Sequence, residues 1–494
     1  MNQAAEVSIT QPTLAHRAAS GAMWIAAEMA GTQILSLLVF AVMARFITPS
    51  DFGLISISYL AIYTFKSLVI DTIAFAVIRK QQPSDLEYTT CFWLTLAFAG
   101  VASLVTFLSA GAAEHWMNAP HLGDVLRAMS VILLFMGLAR THEMRLTRSF
   151  EFRALALRGI AGATLGGGIG VVLAMHGYGL TALVIQQIAT SGLSLSLLWV
   201  VSSWKPAFRC SYATAAEILV FMRTMVPTTA ISFISQYFDT FLVAYLLGPA
   251  SAGIYAIAKR LKLALQSVAG APISGVIFST LAEVQEDSER LIAVSQRMVA
   301  LVSFVSAPIF VGASSISNQM ISIGFGGQWN AAAPIFAILA LSGLFTALQS
   351  FCETVFTLKH RQTWTFYILL TYMLMAAPLF LFVGRLGSVY LALPFVIPYA
   401  IILPISAALV SRLTGFSLSR WMNAVGPSAI SSGAMFAVVT FIESKIQYLS
   451  NLSQALICVA AGAIAYLVAM MVLSPGTVLS IFRTVRGLLQ RKAL

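Results

Sequence analysis

Charged side chains are scarce in this chain of 494 residues, in which Asp, Glu, Lys and Arg together make up only 10%. A soluble domain carries about a quarter of its residues as charged side chains, so this composition excludes a soluble fold. Hydrophobic residues make up 59% of the sequence, and the mean hydropathy is +0.87. The chain is therefore predicted to be a membrane protein.

Long polar stretches are missing as well. Apolar runs of about 20 residues, the length that crosses a bilayer as a helix, recur between residues 21 and 473 and are separated by short loops. We expect an all-α polytopic membrane protein with about 14 transmembrane helices. No loop has room for a soluble catalytic domain, so we do not expect an enzyme. Residues 1–20 have no apolar core, and we expect the first span to remain uncleaved.

Cysteines are few, and their positions suggest neither disulfides nor metal sites. Cys91, Cys210, Cys352 and Cys458 stand singly, without a Cys-x-x-Cys pair. We interpret them as packing residues and expect no metal and no cofactor. The stretch "GATLGGGIG" around Gly166 predicts close helix packing. We do not interpret it as a phosphate loop, because such a loop needs a preceding strand and a following Lys.

The net charge of +11 is distributed unevenly between the two sides of the membrane. With the N-terminus inside, most Lys and Arg are cytoplasmic, including the run from Arg140 to Arg158, as the positive-inside rule requires. The opposite side receives only Arg45, Arg127, Arg385 and Lys445. We therefore expect both termini in the cytoplasm and no nucleic-acid partner. No predicted loop contains Lys66, Lys259, Arg260 or Lys262.

An internal sequence repeat relates the regions that contain these four cations. "ARFITPSDFGLISIS" from residue 44 aligns without a gap with "AYLLGPASAGIYAIA" from residue 244, which matches Pro49 with Pro249. A weaker match aligns Glu143 with Glu353. Six spans fit between the two copies, so the halves are predicted to be parallel repeats.

The repeat predicts the domain organisation of the chain. Two six-helix lobes surround a central cavity, and two further helices follow them. The predicted boundaries are 1–18 for a cytoplasmic segment, 19–204 and 205–413 for the lobes, 414–475 for the additional helices and 476–494 for a cytoplasmic amphipathic tail.

Polar side chains follow one helical face in each half. Tyr255, Lys259, Lys262 and Gln266 have the spacing i, i+4, i+7 and i+11, and in the first half Tyr59, Tyr63 and Lys66 repeat it. Charged groups within a span normally face a bundle interior or a wet cavity. We therefore expect a net cationic central cavity that binds an anion.

A structural alternative remains open for each charge. Asp71 and Asp239 would neutralise Lys66 and Lys259 in buried pairs that only fix helix packing. The anion-binding candidates are Lys66, Lys259, Lys262 and, less well aligned, Arg260. The candidates for the cavity wall or for ion coupling are Glu28, Tyr59, Tyr63, Asp71, Gln236, Asp239, Tyr255, Gln266 and Glu353.

Several stretches resemble a known family. "FAVMARFITPSDFGLISI", "RLTRSFEFRALALRGI" and "GFGGQWNAAAPIFAILALSGL" are similar to polysaccharide exporters of the multidrug/oligosaccharidyl-lipid/polysaccharide superfamily, and to its branch of colanic-acid exporters and succinoglycan biosynthesis transport proteins. The resemblance implies alternating access by two six-helix lobes. It implies an undecaprenyl-diphosphate-linked oligosaccharide as substrate, flipped across the bacterial inner membrane for a polymerase and a chain-length regulator. No family motif fixes the cationic residues.

Two other functions remain open from the sequence. An ion-coupled multidrug exporter of the same fold would use Glu28, Asp71 or Asp239 as a cation site, although the cationic surplus argues against cationic drugs. A membrane-embedded polysaccharide polymerase or glycosyltransferase would ordinarily carry a long loop outside the membrane, and the loops here are short.

Overall fold

The described part of the chain is helical throughout. The computed structural model describes residues 31–33, 35–269, 277–278, 280–383, 388–476 and 478–479, and no strand occurs among them. These residues fall into two compact units, which are bounded as Met1–Phe241 and Leu242–Leu494. The predicted all-α polytopic fold is confirmed.

The first unit consists of helices joined by short turns. They are α1 (Gly31–Met43), α2 (Pro49–Phe65), a π-helical segment (Lys66–Asp71), α3 (Thr72–Ile78), α4 (Asp85–Trp116), α5 (Leu122–Met129), α6 (Val131–Arg148), α7 (Phe152–Met175), α8 (Gly179–Val201) and the first part of α9 (Tyr212–Ala269).

Among the described residues, the second unit contains the rest of α9 and, from Ser288 onward, seven further α-helices. They are α10 (Ser288–Ser315), α11 (Ser317–Phe325), α12 (Ala332–Leu358), α13 (Gln362–Val383), α14 (Leu393–Thr414), α15 (Leu418–Lys445) and α16 (Asn451–Leu473). Short 3₁₀ segments occur at Gly327–Trp329 and Ser388–Ala392.

Twelve helices among the described residues are long and apolar enough to cross a membrane. One of them, Tyr212–Ser267, has 56 residues, more than twice the ~20 that a bilayer requires. It is interrupted at Gly248, where φ is 77° and ψ is −179°, a conformation open to glycine. The shorter helix α1 is also apolar. The count of 14 spans stays a prediction.

The two copies of the sequence repeat have similar local structure. Pro49 is the first residue of α2, and the side chains of Thr48, in front of it, and Asp51, in the first turn of the helix, form a capping box. In the second copy the interruption at Gly248 directly precedes Pro249. The hydroxyl of Thr147 donates to the carbonyl oxygen of Glu143 at 2.8 Å, and Thr357 donates to Glu353 at 2.9 Å. These local features agree with the repeat.

Three connections of the first unit lie at one end of it. The Arg148 guanidinium donates to the carbonyl oxygens of Ile78, Lys80 and Gln81 at 2.5–2.7 Å, which joins the turn after α6 to the turn after α3. The Ser211 amide, in front of α9, donates to Thr90 Oγ1 at 2.9 Å. The sequence had assigned all three connections to the cytoplasm.

Lys80 is the best-paired cation at this end. Its ammonium group lies 2.5 Å from Glu217 and 2.5 Å from Glu87. The hydrogen bond to Glu217, followed by that to Glu87, raises the pKa of Lys80 above its ordinary value. The two carboxylates therefore stabilise the charged form of Lys80.

Tight packing of α7 against α8 follows from glycine spacing. A Cβ on Gly166 would lie 2.2 Å from Thr190 Oγ1 and 2.6 Å from the Thr190 backbone, and one on Gly162 would lie 2.0 Å from Ser194 Oγ. Only glycine lets the helices approach so closely, as the sequence predicted.

The lobe boundaries given by the repeat stay predictions. The first unit extends to Phe241 and so includes residues 212–241, which the repeat assigns to the second lobe. The predicted segment 1–18 lies outside the described residues, as does most of the predicted tail 476–494.

Candidate functional site

A π-helical turn lies in the middle of the span that carries Lys66. The segment runs from Lys66 to Asp71 and joins α2 to α3 in one continuous helical span, Pro49–Ile78. Its end residues form an ion pair, with Lys66 Nζ 2.7 Å from Asp71 Oδ2. Residues five apart in an α-helix lie about 140° apart, at 100° per residue. A π-turn has a hydrogen bond between residues i and i+5, which brings their side chains closer to the same side of the helix. The π-turn therefore makes this pair possible.

The pair continues into a chain of charges contributed by three helices. Arg140 Nε, on α6, lies 3.0 Å from Asp71 Oδ1, and Arg140 Nη1 lies 3.2 Å from Glu143 Oε2. Arg158 Nη1, on α7, lies 2.7 Å from Glu143 Oε1. We call Lys66, Asp71, Arg140, Glu143 and Arg158 the charged network.

The charged network is mostly shielded and has a cationic surplus. Its side chains are 14–32% exposed, and charges within a span require partners. Three cations face two carboxylates, so the fully ionised network carries one net positive charge. The contact between Arg140 Nε and Asp71 Oδ1 is an ion pair without a hydrogen bond, and both atoms are buried. An incoming oxyanion would find donors that the two carboxylates only partly satisfy.

Sequence reasoning missed most of this network. It assigned Arg140 and Arg158 to the cytoplasmic side, which stays a prediction, and did not predict that both pair with Glu143. Two signals were available, because Arg140 and Glu143 have the i, i+3 spacing of a helical pair and Glu143 aligns with Glu353 in the repeat. The pairing of Lys66 with Asp71 matches the structural alternative. That pairing does not exclude substrate binding.

The other two first-half stripe residues lie on one face of α2. The Tyr59 and Tyr63 rings are 5.4 Å apart between centroids, and the Tyr59 hydroxyl donates to Gln187 Oε1 on α8. Gln187 was not among the predicted residues. Beside the stripe, an apolar cavity of about 420 Å³ is lined by Leu60, Thr64, Leu68, Phe233, Tyr237 and Phe241 among others.

The second-half stripe contacts two helices of its own unit. Tyr255 is buried and stacks on Phe395 of α14, with ring centroids 5.9 Å apart. Lys262 Nζ lies 5.9 Å from the centroid of the same ring, within cation–π distance. Gln266 Nε2 donates to Thr346 Oγ1 on α12 at 2.7 Å. The shared ring places Tyr255 and Lys262 on one face, as their spacing predicted.

The remaining candidates differ in burial. Lys259, Arg260 and Glu353 are half-buried, and Gln236 is exposed. Asp239 is buried and accepts a hydrogen bond from Thr240 Oγ1 at 3.3 Å. Glu28 lies outside the described residues. The roles assigned to all of these residues stay predictions.

No metal centre occurs in the part of the chain that the structure describes. No group of three or more His, Cys, Asp or Glu side chains there is placed to hold an ion. Among the four cysteines, Cys91, Cys352 and Cys458 are buried and Cys210 is exposed. The chemistry available at the charged network is electrostatic binding of an anion.

The chain is similar to known proteins of polysaccharide biosynthesis. The succinoglycan biosynthesis transport protein ExoT of Rhizobium meliloti (strain 1021) is 27% identical over 331 residues, which are 66% of this chain and 67% of that protein. The lipopolysaccharide biosynthesis protein WzxC of Escherichia coli (strain K12) is 24% identical over 339 residues, 68% of this chain and 69% of that one.

A solved structure shares the fold. The lipid II flippase MurJ, in an inward closed conformation, matches 91% of this chain and 98% of its own with a TM-score of 0.75 and 15% sequence identity. The sequence resemblance to exporters of the multidrug/oligosaccharidyl-lipid/polysaccharide superfamily is confirmed. Residues 42–334, more than half of the chain, match the family described as "Polysaccharide biosynthesis protein", and the protein therefore belongs to that family.

Proposed function

We propose that this protein flips an undecaprenyl-diphosphate-linked oligosaccharide from the inner to the outer leaflet of the bacterial inner membrane, for exopolysaccharide synthesis. The observation that carries the proposal is the charged network, which holds three cations and two carboxylates inside a membrane protein. A surplus cation in this setting favours an anionic ligand, and a lipid diphosphate is such an anion. The names of the relatives, which include a succinoglycan transport protein, support a lipid-linked sugar.

The network suits a substrate that must bind and then leave. Asp71 and Glu143 compensate most of the charge of Lys66, Arg140 and Arg158 while no substrate is present, so each cation lies beside a carboxylate. A diphosphate displaces Asp71 from Lys66 and takes over its charge-assisted hydrogen bonds. When the substrate leaves, Asp71 returns, and the exchange limits how tightly the diphosphate is held.

The prenyl chain of the substrate needs an apolar surface close to the cations. The 420 Å³ cavity offers one, since Leu68 lines it from within the π-helical segment. Lys66 and Asp71 are the ends of that same segment. A single turn of helix therefore carries both the anion-binding group and part of an apolar wall, as an amphipathic substrate requires.

The second-half stripe supplies the other cations in this proposal. Lys259 and Lys262 contact the diphosphate in one state of an alternating-access cycle, and Lys66 contacts it in the other. The lipid is handed to a polysaccharide polymerase and a chain-length regulator outside the membrane, with both termini of the flippase in the cytoplasm. A succinoglycan-like repeat unit is the favoured sugar because of ExoT.

The test is a flipping assay in proteoliposomes with a fluorescent undecaprenyl-diphosphate sugar. We expect Lys66→Gln and the double variant Lys259→Gln/Lys262→Gln to flip the lipid at least about tenfold more slowly. The reason is that a hydrogen bond to a charged group contributes ~1.5–3 kcal/mol. Arg127→Gln is the matched control, because that guanidinium pairs with the exposed Asp124. Normal flipping by the inserted double variant would overturn the role of the second-half cations. Normal flipping by Lys66→Gln would overturn the role of the network.

A cellular measurement separates this function from drug export. Deleting the gene is expected to leave a lipid-linked oligosaccharide on the cytoplasmic leaflet and to stop polymer production. Unchanged polymer with increased sensitivity to cationic drugs would favour the multidrug exporter instead.

A further inference from the structure

An apolar groove opens on the surface of the first unit between α7 and α8. It has a volume of about 480 Å³, and its wall includes Leu157 and Ala161 from α7 and Leu197 and Val201 from α8. Leu157 and Val201 are about half exposed, at 52% and 49%. In a membrane protein such a surface contacts acyl chains.

Basic side chains line the same groove at its polar end. Arg153 and Arg158 contribute to its wall, together with Glu151. Arg158 donates through Nη1 to Glu143, while its Nε is buried and has no hydrogen-bond partner among the described residues. The guanidinium of Arg158 therefore has donor capacity that the charged network leaves unused.

A second, polar cavity adjoins the groove. It measures about 330 Å³ and shares Glu151 and Val201 with the groove. Arg145, Arg148, Ser149, Ser202, Ser203 and Trp204 also line it. Asp85 holds Arg145 at 2.7 Å, and backbone carbonyls hold Arg148, so both guanidinium groups have fixed positions. An apolar groove thus continues into a cavity of fixed cations.

The position of this double cavity follows from helix packing. Close contact between α7 and α8 begins at Gly162, which faces Ser194, whereas the groove uses the residues between Glu151 and Ala161. The two helices therefore diverge towards the first residues of α7, which follow the turn after α6, and the last residues of α8. That turn belongs to the side that the sequence assigns to the cytoplasm, where anionic lipid headgroups meet basic residues.

We propose that the groove binds a resident anionic phospholipid such as phosphatidylglycerol. Its phosphate lies between Arg153 and Arg158, its glycerol headgroup enters the polar cavity, and one acyl chain follows Leu157, Ala161 and Leu197. Charge complementarity favours this ligand, because four Arg and one Glu line the two cavities. A zwitterionic lipid would bring a cation into the same space. The inference shares Arg158 with the charged network, but it does not rest on the identity of the transported substrate.

The binding experiment uses the purified full chain in nanodiscs without any lipid-linked sugar. Phosphatidylglycerol and phosphatidylcholine carry the same photoactivatable acyl chain in parallel samples, and the cross-linked residues are mapped by mass spectrometry. We expect phosphatidylglycerol to label the walls of the groove on α7 and α8 at least several-fold more than phosphatidylcholine does. Equal labelling by both lipids would overturn the proposal.

Three variants locate the headgroup and the chain. Arg153→Gln is expected to lower the phosphatidylglycerol labelling several-fold, and Ala161→Phe is expected to abolish it by filling the groove. Neither side chain belongs to the charged network, so both variants are expected to fold. Arg127→Gln is the control and is expected to label as the unaltered protein does. Undiminished labelling of the folded Arg153→Gln protein would contradict the headgroup position. Undiminished labelling of Ala161→Phe would contradict the groove itself.

Discussion

Lys66 Nζ lies 2.7 Å from Asp71 Oδ2, although the two residues are five positions apart in one membrane span. Their contact depends on the π-helical hydrogen bonding between them, because an α-helix would turn the two side chains about 140° apart. Arg140 reaches the other carboxylate oxygen of Asp71 from α6. Asp71 therefore connects the cation of its own span to a neighbouring helix.

The Lys66–Asp71 pair is expected to show strong coupling in a double-mutant cycle. Asp71→Asn should lower the melting temperature of the purified protein most, because it leaves Lys66 without a facing carboxylate and Arg140 with Glu143 alone. Lys66→Gln should cost less, since Asp71 keeps Arg140. The combined variant should recover part of the loss, with a coupling energy of about 0.5–3 kcal/mol. Additive effects in thermal unfolding would contradict direct pairing.

Arg140 is expected to be irreplaceable by Lys. Its guanidinium contacts Asp71 with one nitrogen atom and Glu143 with another. An ammonium group has a single nitrogen atom and cannot reproduce this planar arrangement of donors. Arg140→Lys should lose one contact to a carboxylate, worth about 1.5–3 kcal/mol, and the loss should appear in both thermal unfolding and flipping. Arg127→Lys is the control at an exposed pair and should change stability by less than about 1 kcal/mol. Equal melting temperatures of the two variants would contradict this role.

Two glycines of α7 should respond differently to alanine. Gly166→Ala brings a methyl group within 2.6 Å of the Thr190 backbone, so the two helices must separate, whereas Gly168→Ala meets nothing within 4 Å. We expect Gly166→Ala to be destabilised by about 1–3 kcal/mol and Gly168→Ala to melt at the temperature of the unaltered protein or slightly above. Equal melting temperatures of the two variants would contradict a packing role for Gly166.

Cys210 should report the orientation of the protein. It is exposed and lies beside Ser211, whereas the other three cysteines are buried. A membrane-impermeant maleimide should label one thiol per native chain and four after denaturation. It should reach Cys210 in inside-out vesicles but not in spheroplasts. Labelling in spheroplasts would reverse the predicted topology.

The sequence alone predicted the helical fold and the polar stripes because both depend on local patterns. Apolar runs, the Pro–Gly turn at Pro49 and the spacing of Tyr255 and Lys262 need no knowledge of distant residues. The close packing at Gly166 was predicted for the same reason. Local spacing could not identify Phe395 or Gln187 as contacts, because helices from other parts of the chain contribute them.

The charged network was missed for a different physical reason. The sequence raised Lys66 and Asp71 as a possible buried pair, but their spacing is not that of an α-helical pair, and Arg140 joins them from α6, a distant part of the chain. A π-turn adds a residue to the turn without a distinct composition. The run from Arg140 to Arg158 also read as an ordinary cytoplasmic cluster, since the positive-inside rule counts charges near span ends without asking what they contact.

The π-helical segment between Lys66 and Asp71 has a consequence for the evolution of the family. The segment has the i to i+5 hydrogen bonding of a π-helix, and the ion pair joins its first and last residues. If either charge were lost, the pair would no longer favour the π-turn, and deletion of one intervening residue would restore a regular helix. In natural sequences we therefore expect the Lys, the Asp and the extra residue to be inherited or lost together.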